Sequence, residues 1–246
     1  FPLKNEQEPI DVWINTLKLG DKKSKHIYIT FGEDLDTSHP QIMGFVAAGL
    51  YGTSGLIEYI IRTKEAATKL RGTEIVNKAI EELNKLNNKM NGKNIDFLYW
   101  ELNNPQKIAY NEQHPNYMVD CMSPQKRINL IKKNYNGKLI GFDYVQPPLT
   151  KSQKTCDTLV LARIEIIQPD INKNIDQLNQ QEAKSLKSYL INFIEVLTQT
   201  SAEEVAMQDY KIKNMLDQVD IMIKYNISPL EEYQTLQQKR LLKREK

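Results

Sequence analysis

The chain has 246 residues, of which 40% are hydrophobic and 26% charged, with a formal net charge of +2 at pH 7. This length and hydrophobic content fit one substantial globular domain, or a domain with an appendage. The near balance of charge gives no global basic field, and two cysteines are too few for a disulfide framework, so neither a nucleic-acid partner nor a disulfide-rich fold is predicted.

Membrane and targeting signals are not found in the sequence. No uninterrupted apolar run approaches the roughly 18 to 20 residues that span a bilayer. The first ten residues have no basic segment followed by an apolar one. We therefore predict a soluble, cytoplasmic protein with no membrane partner. Because the sequence begins with Phe1 and not methionine, we expect it to be a fragment of a longer gene product.

A short helix and three strands are predicted in the first part of the chain. Apolar residues recur at helical spacing in Glu8–Leu19. "HIYITF" (His26–Phe31), "QIMGFVAAGLY" (Gln41–Tyr51) and "SGLIEYIIR" (Ser54–Arg62) are short runs compatible with β structure, and a glycine-bearing turn separates the last two. Together they predict an antiparallel meander.

The apolar spacing then changes from about two residues to about 3.6. Apolar residues at steps of three and four after Gly72 predict a helix with one buried stripe: Val76, Ala79, Ile80, Leu83 and Leu86. The continuous apolar run "IDFLYWEL" (Ile95–Leu102) is typical of a buried, central strand. A strand, a helix and a strand in this order predict a crossover unit.

Further strands and helices are predicted in the second half. Ser123 and Pro124 form a helix start, with a capping oxygen followed by proline at the first helical position. Lys138–Val145 and Asp157–Ile167 have the composition of strands. After Gln168 the sequence is polar and helix-forming, and it predicts three helices: about Gln180–Leu197, one following Ser201 as far as Ile223, and one beginning at Ser228.

Few chemical motifs are present. The three histidines, His26, His39 and His114, have no second histidine or cysteine three or four residues away, so no metal site is predicted. Neither a G-x-S-x-G elbow nor a P-loop occurs. In "TKLRGTEIVNKAIEEL" a helix follows a strand and a glycine, and the free amides of its first turn, with Lys69 and Arg71, suit a pyrophosphate. The alternative is an ordinary loop.

The order of these parts resembles the GNAT superfamily of acetyl-CoA-dependent N-acetyltransferases. In that family a strand is followed by a [QR]-x-x-G-x-[GA] loop and a helix that hold the coenzyme A pyrophosphate. A second parallel strand splays from the first, and the pantetheine arm lies between them. Here "GLIEYIIR", "LRG" with its helix, and "IDFLYWELNNP" take these places. "FLYWELNNP", "SPQKRINLIKKNYNGKLIGFDYVQPPL" and "TLVLARI" resemble a bacterial GNAT subfamily, and the resemblance covers about Phe1 to Ile167.

The resemblance implies a mixed, α+β-like α/β fold. Its central mixed sheet, over residues 1–168, would have about six or seven strands flanked by helices, and residues 169–246 would form a helical C-terminal extension. It also implies acetyl-CoA as cofactor, bound by ten residues: Tyr59, Ile60, Ile61, Lys69, Leu70, Arg71, Gly72, Thr73, Asn103 and Asn104. The loop is degenerate, because Ala67 stands where arginine or glutamine belongs and Leu70 where the first glycine belongs.

Catalytic residues are also implied by the resemblance. Acetyl transfer needs a neutral amine and an acid for the departing thiolate. Glu101 is the first candidate for relaying the proton and Glu58 the second, since both stand on strands that would flank the acceptor. Family members often place a tyrosine acid in a Y-x-x-x-G-F pattern, where this chain has Lys133. Tyr135 lies nearby but two residues out of step, and Tyr144 is the other alternative. Glu101 could equally be a structural strand-end carboxylate, and Tyr144 could equally be a core residue.

The implied function is transfer of an acetyl group from acetyl-CoA to an amine of a small molecule or a protein. The alternative is a catalytically degenerate GNAT-like binding or scaffolding protein that uses its C-terminal helices as an interface. A homodimer through those helices is compatible with both.

Overall fold

The computed structural model describes residues 14, 18, 25–33, 38, 39, 41–107, 123–148, 154–166 and 174–230. These residues divide into two compact units. The N-terminal unit contains the described residues up to Trp100 together with Glu165 and Ile166, and the C-terminal unit contains Glu101–Ile164 and the described residues from 174 onward. A domain boundary at residue 168 stays a prediction.

Six strands form one mixed sheet in the order β1-β2-β3-β4-β6-β5. Their bounds are β1 His26–Glu33, β2 Gln41–Tyr51, β3 Ser54–Arg62, β4 Phe97–Asn103, β5 Lys138–Leu139 and β6 Leu159–Glu165. The described part of the chain also contains a short 3-10 helix, Glu65–Thr68, and five α-helices: α1 Gly72–Asn91, α2 Pro124–Tyr135, α3 Ile175–Thr198, α4 Ala202–Gln208 and α5 Tyr210–Tyr225. This architecture confirms the predicted mixed α/β fold class.

The N-terminal unit is built on the predicted meander. β2 pairs antiparallel with both β1 and β3, and Gly52 makes the turn between β2 and β3 at a φ of 64°, which suits glycine. β4 pairs in parallel with β3 from Gly55–Leu98 to Ile57–Trp100, which confirms the crossover unit. β3 itself continues to Arg62 beyond this last pair.

A β-bulge interrupts the pairing of β2 with β3. Ala47 is opposite Tyr59 and Ala48 is opposite Ile57, so Glu58 is the extra residue on β3. A bulge breaks the strict alternation of a strand and redirects the side chain of its extra residue. Glu58 is therefore positioned by a local irregularity that the hydrophobic pattern of the strand does not reveal.

The crossover helix α1 buries the predicted stripe. Val76, Ala79 and Leu83 are fully buried, whereas Ile80 and Leu86 are half-buried. The opposite face carries ion pairs between charged residues three and four positions apart, which support an exposed helix surface by a few tenths of a kcal/mol each, about 0.2 to 0.5. The helix ends at Gly92, which has a φ of 70°.

Two predictions for the C-terminal unit are wrong in detail. Lys138–Val145 is not one strand, because only β5 pairs with β6 as a strand. The amide of Ile140 still donates to Leu161 of β6, but the amide of Gly141 donates to the carbonyl of Pro229. The helix predicted after Ser201 is two helices, α4 and α5, broken at Asp209. The Asp209 carboxylate accepts from the amide of Lys211 at 2.8 Å and so caps a new helix.

A buried ion pair joins α3 to β6 within the C-terminal unit. Arg163 of β6 is 1% exposed, and its Nη1 lies 3.2 Å from Oε2 of Glu182 on α3. A guanidinium at this depth needs an opposite charge, because burial of a lone ion costs several kcal/mol. The helices predicted at about Glu8–Leu19, apart from residues 14 and 18, and after Ser228, beyond residue 230, lie outside the described residues.

Candidate functional site

The loop before α1 is held by its own backbone and by the core of the N-terminal unit. The amide of Leu70 donates to the carbonyl of Ala66 at 2.9 Å, and the carbonyl of Leu70 accepts from Arg62 Nη1 at 3.0 Å. The Leu70 side chain is 6% exposed and packs on β2, since a Cβ at Gly44 would lie 2.8 Å from Leu70 Cδ2. The leucine that departs from the family pattern therefore faces the core.

The two cations of the loop are exposed and engaged in surface ion pairs. Lys69 Nζ lies 2.9 Å from Glu33 Oε1, and Arg71 Nη2 lies 3.2 Å from Glu74 Oε1. Such exposed pairs contribute about 0 to 1 kcal/mol, because both charges stay well solvated. An incoming diphosphate, with more than one negative charge, can compete for both side chains.

The N-terminus of α1 keeps one open donor. A Cβ at Gly72 would meet nothing within 4 Å, and no acceptor for the Gly72 amide is found among the described residues. The amide of Arg71 donates to Glu74 Oε2 at 2.7 Å, and this bond is the main reason that the pKa of Glu74 is lowered. Gly72, Lys69 and Arg71 thus fit a pyrophosphate, while Glu74 occupies the amide next to them.

The other predicted cofactor residues lie on β3, α1 and β4. Tyr59, Ile60 and Ile61 are half-buried and pair with β2. Thr73 is half-buried in the first turn of α1. Asn103 ends β4, and Asn104 follows in a turn, where its amide donates to the carbonyl of Thr158 at 2.8 Å and its Oδ1 accepts from the amide of Gln106 at 2.9 Å. Their contact with a cofactor stays a prediction.

Glu58 lies in a row of three polar side chains, one on each of β1, β2 and β3. Its Oε1 accepts from Tyr51 Oη at 2.7 Å and lies 3.2 Å from His26 Nε2. Gly49 leaves room for this row, because a Cβ there would lie 2.6 Å from Glu58 Oε1. Glu58 Oε2 is buried and has no hydrogen-bond partner in the part of the chain that the structure describes.

Glu101, two residues before the end of β4, is held by two donors in the C-terminal unit. Tyr144 Oη donates to Oε1 in a short hydrogen bond, and Gln146 Nε2 donates to Oε2 at 2.8 Å. Gln146 is fixed in turn by two backbone hydrogen bonds with Cys156, of 2.8 and 3.0 Å. The structure thus brings together two of the four predicted catalytic residues, Glu101 and Tyr144, in a cluster that also includes Gln146.

Burial controls the protonation of the two candidate tyrosines. Tyr144 is 2% exposed, and burial, followed by the charge of Glu101, raises its pKa well above the usual 10.0. Its phenol therefore keeps its proton over the physiological pH range. Tyr135 is the last residue of α2, and burial alone raises its pKa to about 12.

We expect the alkaline stability of the protein to depend on Tyr144. In the unfolded chain this tyrosine ionises near pH 10, whereas the folded pKa is higher, so the folded state binds more protons above pH 10 and stability falls as pH rises. Urea unfolding between about pH 8 and 11 should show a shallower fall for Tyr144→Phe than for the wild type. The exposed Tyr210→Phe should keep the wild-type slope; equal slopes for Tyr144→Phe and wild type would contradict the assignment.

Gln146 and His26 are not among the predicted site residues, because Gln146 precedes two prolines and His26 has no second histidine or cysteine nearby in the sequence. Tyr51 lies on a predicted strand near the presumed acceptor side, where the sequence favours a packed aromatic residue. The usable signal was the strand register, because His26 opposes Gly49 across β1 and β2, and Gly49 opposes Leu56 across β2 and β3.

No group of three or more histidine, cysteine or acidic side chains in the described part of the chain could hold a metal ion. No described helix has the length and apolar character to cross a membrane.

Comparison with known proteins gives structural neighbours only. No family model and no curated protein matches the sequence. The structure is similar to an acetyltransferase assigned to the GNAT family from Bacteroides thetaiotaomicron (TM-score 0.42, 14% identity, 76% of this chain and 84% of that chain). It is also similar to the ribosomal-protein-S18-alanine N-acetyltransferase from Escherichia coli, with a TM-score of 0.36 and 12% identity over 64% of this chain and 80% of that chain. A third neighbour is the PaiA N-acetyltransferase from Thermoplasma acidophilum in complex with coenzyme A, with a TM-score of 0.38 and 9% identity over 63% of this chain and 70% of that chain. All three TM-scores are below 0.5, so these neighbours carry no argument about function.

Proposed function

We propose that this protein is a GNAT-type N-acetyltransferase, which transfers an acetyl group from acetyl-CoA to an amine. The observation that carries the proposal is the Glu101 cluster, in which a buried, protonated tyrosine donates to a carboxylate near the end of β4. An acid and a base in direct contact are the two groups that acyl transfer to an amine requires. Both residues belong to motifs, "ELNNP" and "FDYVQPPL", that resemble the family.

The cluster can make both proton transfers that the reaction needs. Acetyl-CoA, when bound, supplies an acetyl thioester. With acetyl-CoA bound, formation of the C–N bond and loss of the thiolate would require one proton to leave the amine nitrogen and another to reach the sulfur. Glu101 would take the first and Tyr144 would give the second from its Oη, after which Glu101 would return its proton to Tyr144 across their hydrogen bond. Both residues end in their starting states.

Gln146 serves this pair as a positioning residue. Its amide binds the Glu101 oxygen that Tyr144 does not, so the carboxylate is fixed at both ends. A carboxylate with both oxygens held cannot rotate away from the tyrosine, and this keeps the proton path preorganised. Among the described residues of the N-terminal unit, Gly72, Lys69 and Arg71 would hold the pyrophosphate.

A degenerate binding protein is the second candidate function. The observation that favours it is that groups of the loop which could bind a phosphate already have partners within the protein. Glu74 accepts from the Arg71 amide, and the side chains of Lys69 and Arg71 are in ion pairs. Under this hypothesis the protein keeps the fold but does not bind the coenzyme tightly. The C-terminal helices would serve as an interface with a second copy or another protein.

Calorimetric titration with acetyl-CoA separates these two functions. Heat of binding with a Kd of about 1 mM or tighter is expected for the enzyme, and no heat would contradict it. The double variant Lys69→Ala/Arg71→Ala should weaken binding about tenfold, because it removes two charge-assisted contacts to phosphate. The double variant Lys85→Ala/Lys89→Ala makes the same change in net charge near the other end of α1 and should bind like the wild type. Unchanged affinity of the first double variant would show that the pyrophosphate binds elsewhere.

A further inference from the structure

A cleft of about 200 Å³ lies in the C-terminal unit beside the Glu101 cluster. Tyr144, which donates to Glu101, is one of its lining residues. The others include Lys107, Asp143 and Asp157, and Tyr210 from the first turn of α5. The cleft is smaller than the roughly 300 to 1,000 Å³ of drug-sized sites, which suits a small molecule. Helix α5 contributes part of its wall.

The charges in this cleft are not all neutralised. Asp157 is engaged twice, because its Oδ2 accepts from Lys211 Nζ and its backbone carbonyl from Lys107 Nζ, both at 2.7 Å. Lys107 also lies close enough to act electrostatically on the Asp157 carboxylate, which therefore serves two cations, Lys107 and Lys211. The carboxylate of Asp143 is exposed and has no hydrogen bond or ion pair with any described residue, since only its backbone amide is engaged. The cleft therefore presents one open charge of each sign.

The anion-binding group of this cleft is a side chain and not a helix end. The amides of Lys211 and Ile212 in the first turn of α5 both donate to the Asp209 carboxylate, at 2.8 and 3.4 Å. This cap occupies the donors that the helix would otherwise offer to an anion. Lys107 is left as the cation for a bound carboxylate, and the 76% exposed ring of Tyr210 offers an apolar surface.

We propose that this cleft binds a small zwitterionic amino acid as the acetyl acceptor. The ammonium group pairs with Asp143, next to Tyr144, and the carboxylate pairs with Lys107. The ammonium loses one proton to solvent before the neutral amine attacks. This assignment rests on the proposed function for the acetyl transfer itself, and it adds the substrate class. A simple monoamine pairs with Asp143 but leaves Lys107 without a bound anion. A diamine is disfavoured because its second cation would lie against the positive charge of Lys107.

Binding can be tested on the full chain without any coenzyme. Each of the twenty standard amino acids is added at about 10 mM and the melting temperature is measured, since a ligand of Kd near 1 mM raises it by a few degrees at that concentration. At least one amino acid is expected to bind. For that amino acid, its amide, its decarboxylated amine and its desamino acid should each bind at least tenfold more weakly. No shift with any amino acid, equal binding of the amide, or tighter binding of a diamine such as putrescine would each overturn the proposal.

Two variants assign the two ends of the ligand. Asp143→Asn should weaken binding of the amino acid and of its decarboxylated amine alike, about tenfold. Lys107→Gln should weaken binding of the amino acid but leave the decarboxylated amine unchanged. Asp217→Asn and Lys213→Gln, which change the exposed pair on α5 outside the cleft, are the matched controls and should bind normally. Equal affinities across all four variants would also overturn the proposal.

The outcome is distinguishable from failure of the proposed function. If an amino acid binds and acetyl-CoA does not, the cleft is confirmed and the acetyl transfer is wrong. If acetyl-CoA binds and no amino acid does, the enzyme keeps its support and the substrate class is wrong. Asp143→Asn is expected to fold normally, because its carboxylate has no described partner to lose, and circular dichroism of each variant checks this.

Discussion

Replacing Glu101 with glutamine is expected to lower the kcat of acetyl transfer by about 10²-fold to 10⁴-fold. Glutamine keeps the size of the side chain and can still accept from Tyr144, but it cannot take a proton from the amine. The affinity for acetyl-CoA should stay within about twofold of the wild type, because the residues proposed to hold the pyrophosphate are unchanged. Release of the coenzyme A thiol in the presence of a panel of amines and amino acids measures the rate.

Variants of Tyr144, the hydrogen-bond partner of Glu101, test whether the two residues share one proton path. Tyr144→Phe should lower kcat to a similar extent, and the double variant should be little worse than either single one, because residues that act as one unit are not additive. Glu203→Gln on α4 is a matched surface change and should keep wild-type activity. Full activity of Glu101→Gln, or additive losses in the double variant, would rule out the shared proton path.

Removing Glu182 is expected to cost about 3 to 5 kcal/mol of folding free energy. Glu182→Ala removes the carboxylate 3.2 Å from a guanidinium that is 1% exposed, and the cation then stays buried without this ion pair. Urea unfolding followed by circular dichroism measures the change as a shift of the midpoint.

Two further variants separate the buried charge from simple loss of contact. Asp217→Ala removes one partner of an exposed pair on α5, and it should change stability by less than about 1 kcal/mol. Arg163→Met combined with Glu182→Leu removes both buried charges and should recover most of the lost stability. If the Glu182→Ala variant loses no more than Asp217→Ala, the ion pair does not stabilise the C-terminal unit.

Much of the sheet could be predicted from local sequence. β2 and β3 have the predicted bounds, since their apolar runs are delimited by turn residues such as Gly52. The stripe of α1 was also correct, because a single buried face imposes a helical period on the sequence. These features depend on neighbouring residues alone, so one sequence contains the information.

Features that depend on competition between distant groups were not predictable in this way. The apolar run Lys138–Val145 has strand composition, but Gly141 and Gln146 find their backbone partners at Pro229 and Cys156. The break at Asp209 depends on which acceptor caps the following amides. The Glu101 cluster joins residues more than forty positions apart, so a motif could suggest its members but not their hydrogen bonds.

The packing of Leu70 against Gly44 limits how the loop before α1 can be redesigned. Leu70→Gly would place glycine where the GNAT loop pattern has one, but it would empty a buried volume above β2 at a cost of about 2 to 5 kcal/mol. A larger residue in place of Gly44 could not fill that volume without a shift of the backbone, because a Cβ at position 44 would lie 3.1 Å from the backbone carbonyl oxygen of Ile61. The two positions therefore have to change together with their backbone. A variant with stronger coenzyme binding is better sought at Glu74, where an exposed side chain and not the core occupies the amide beside Gly72.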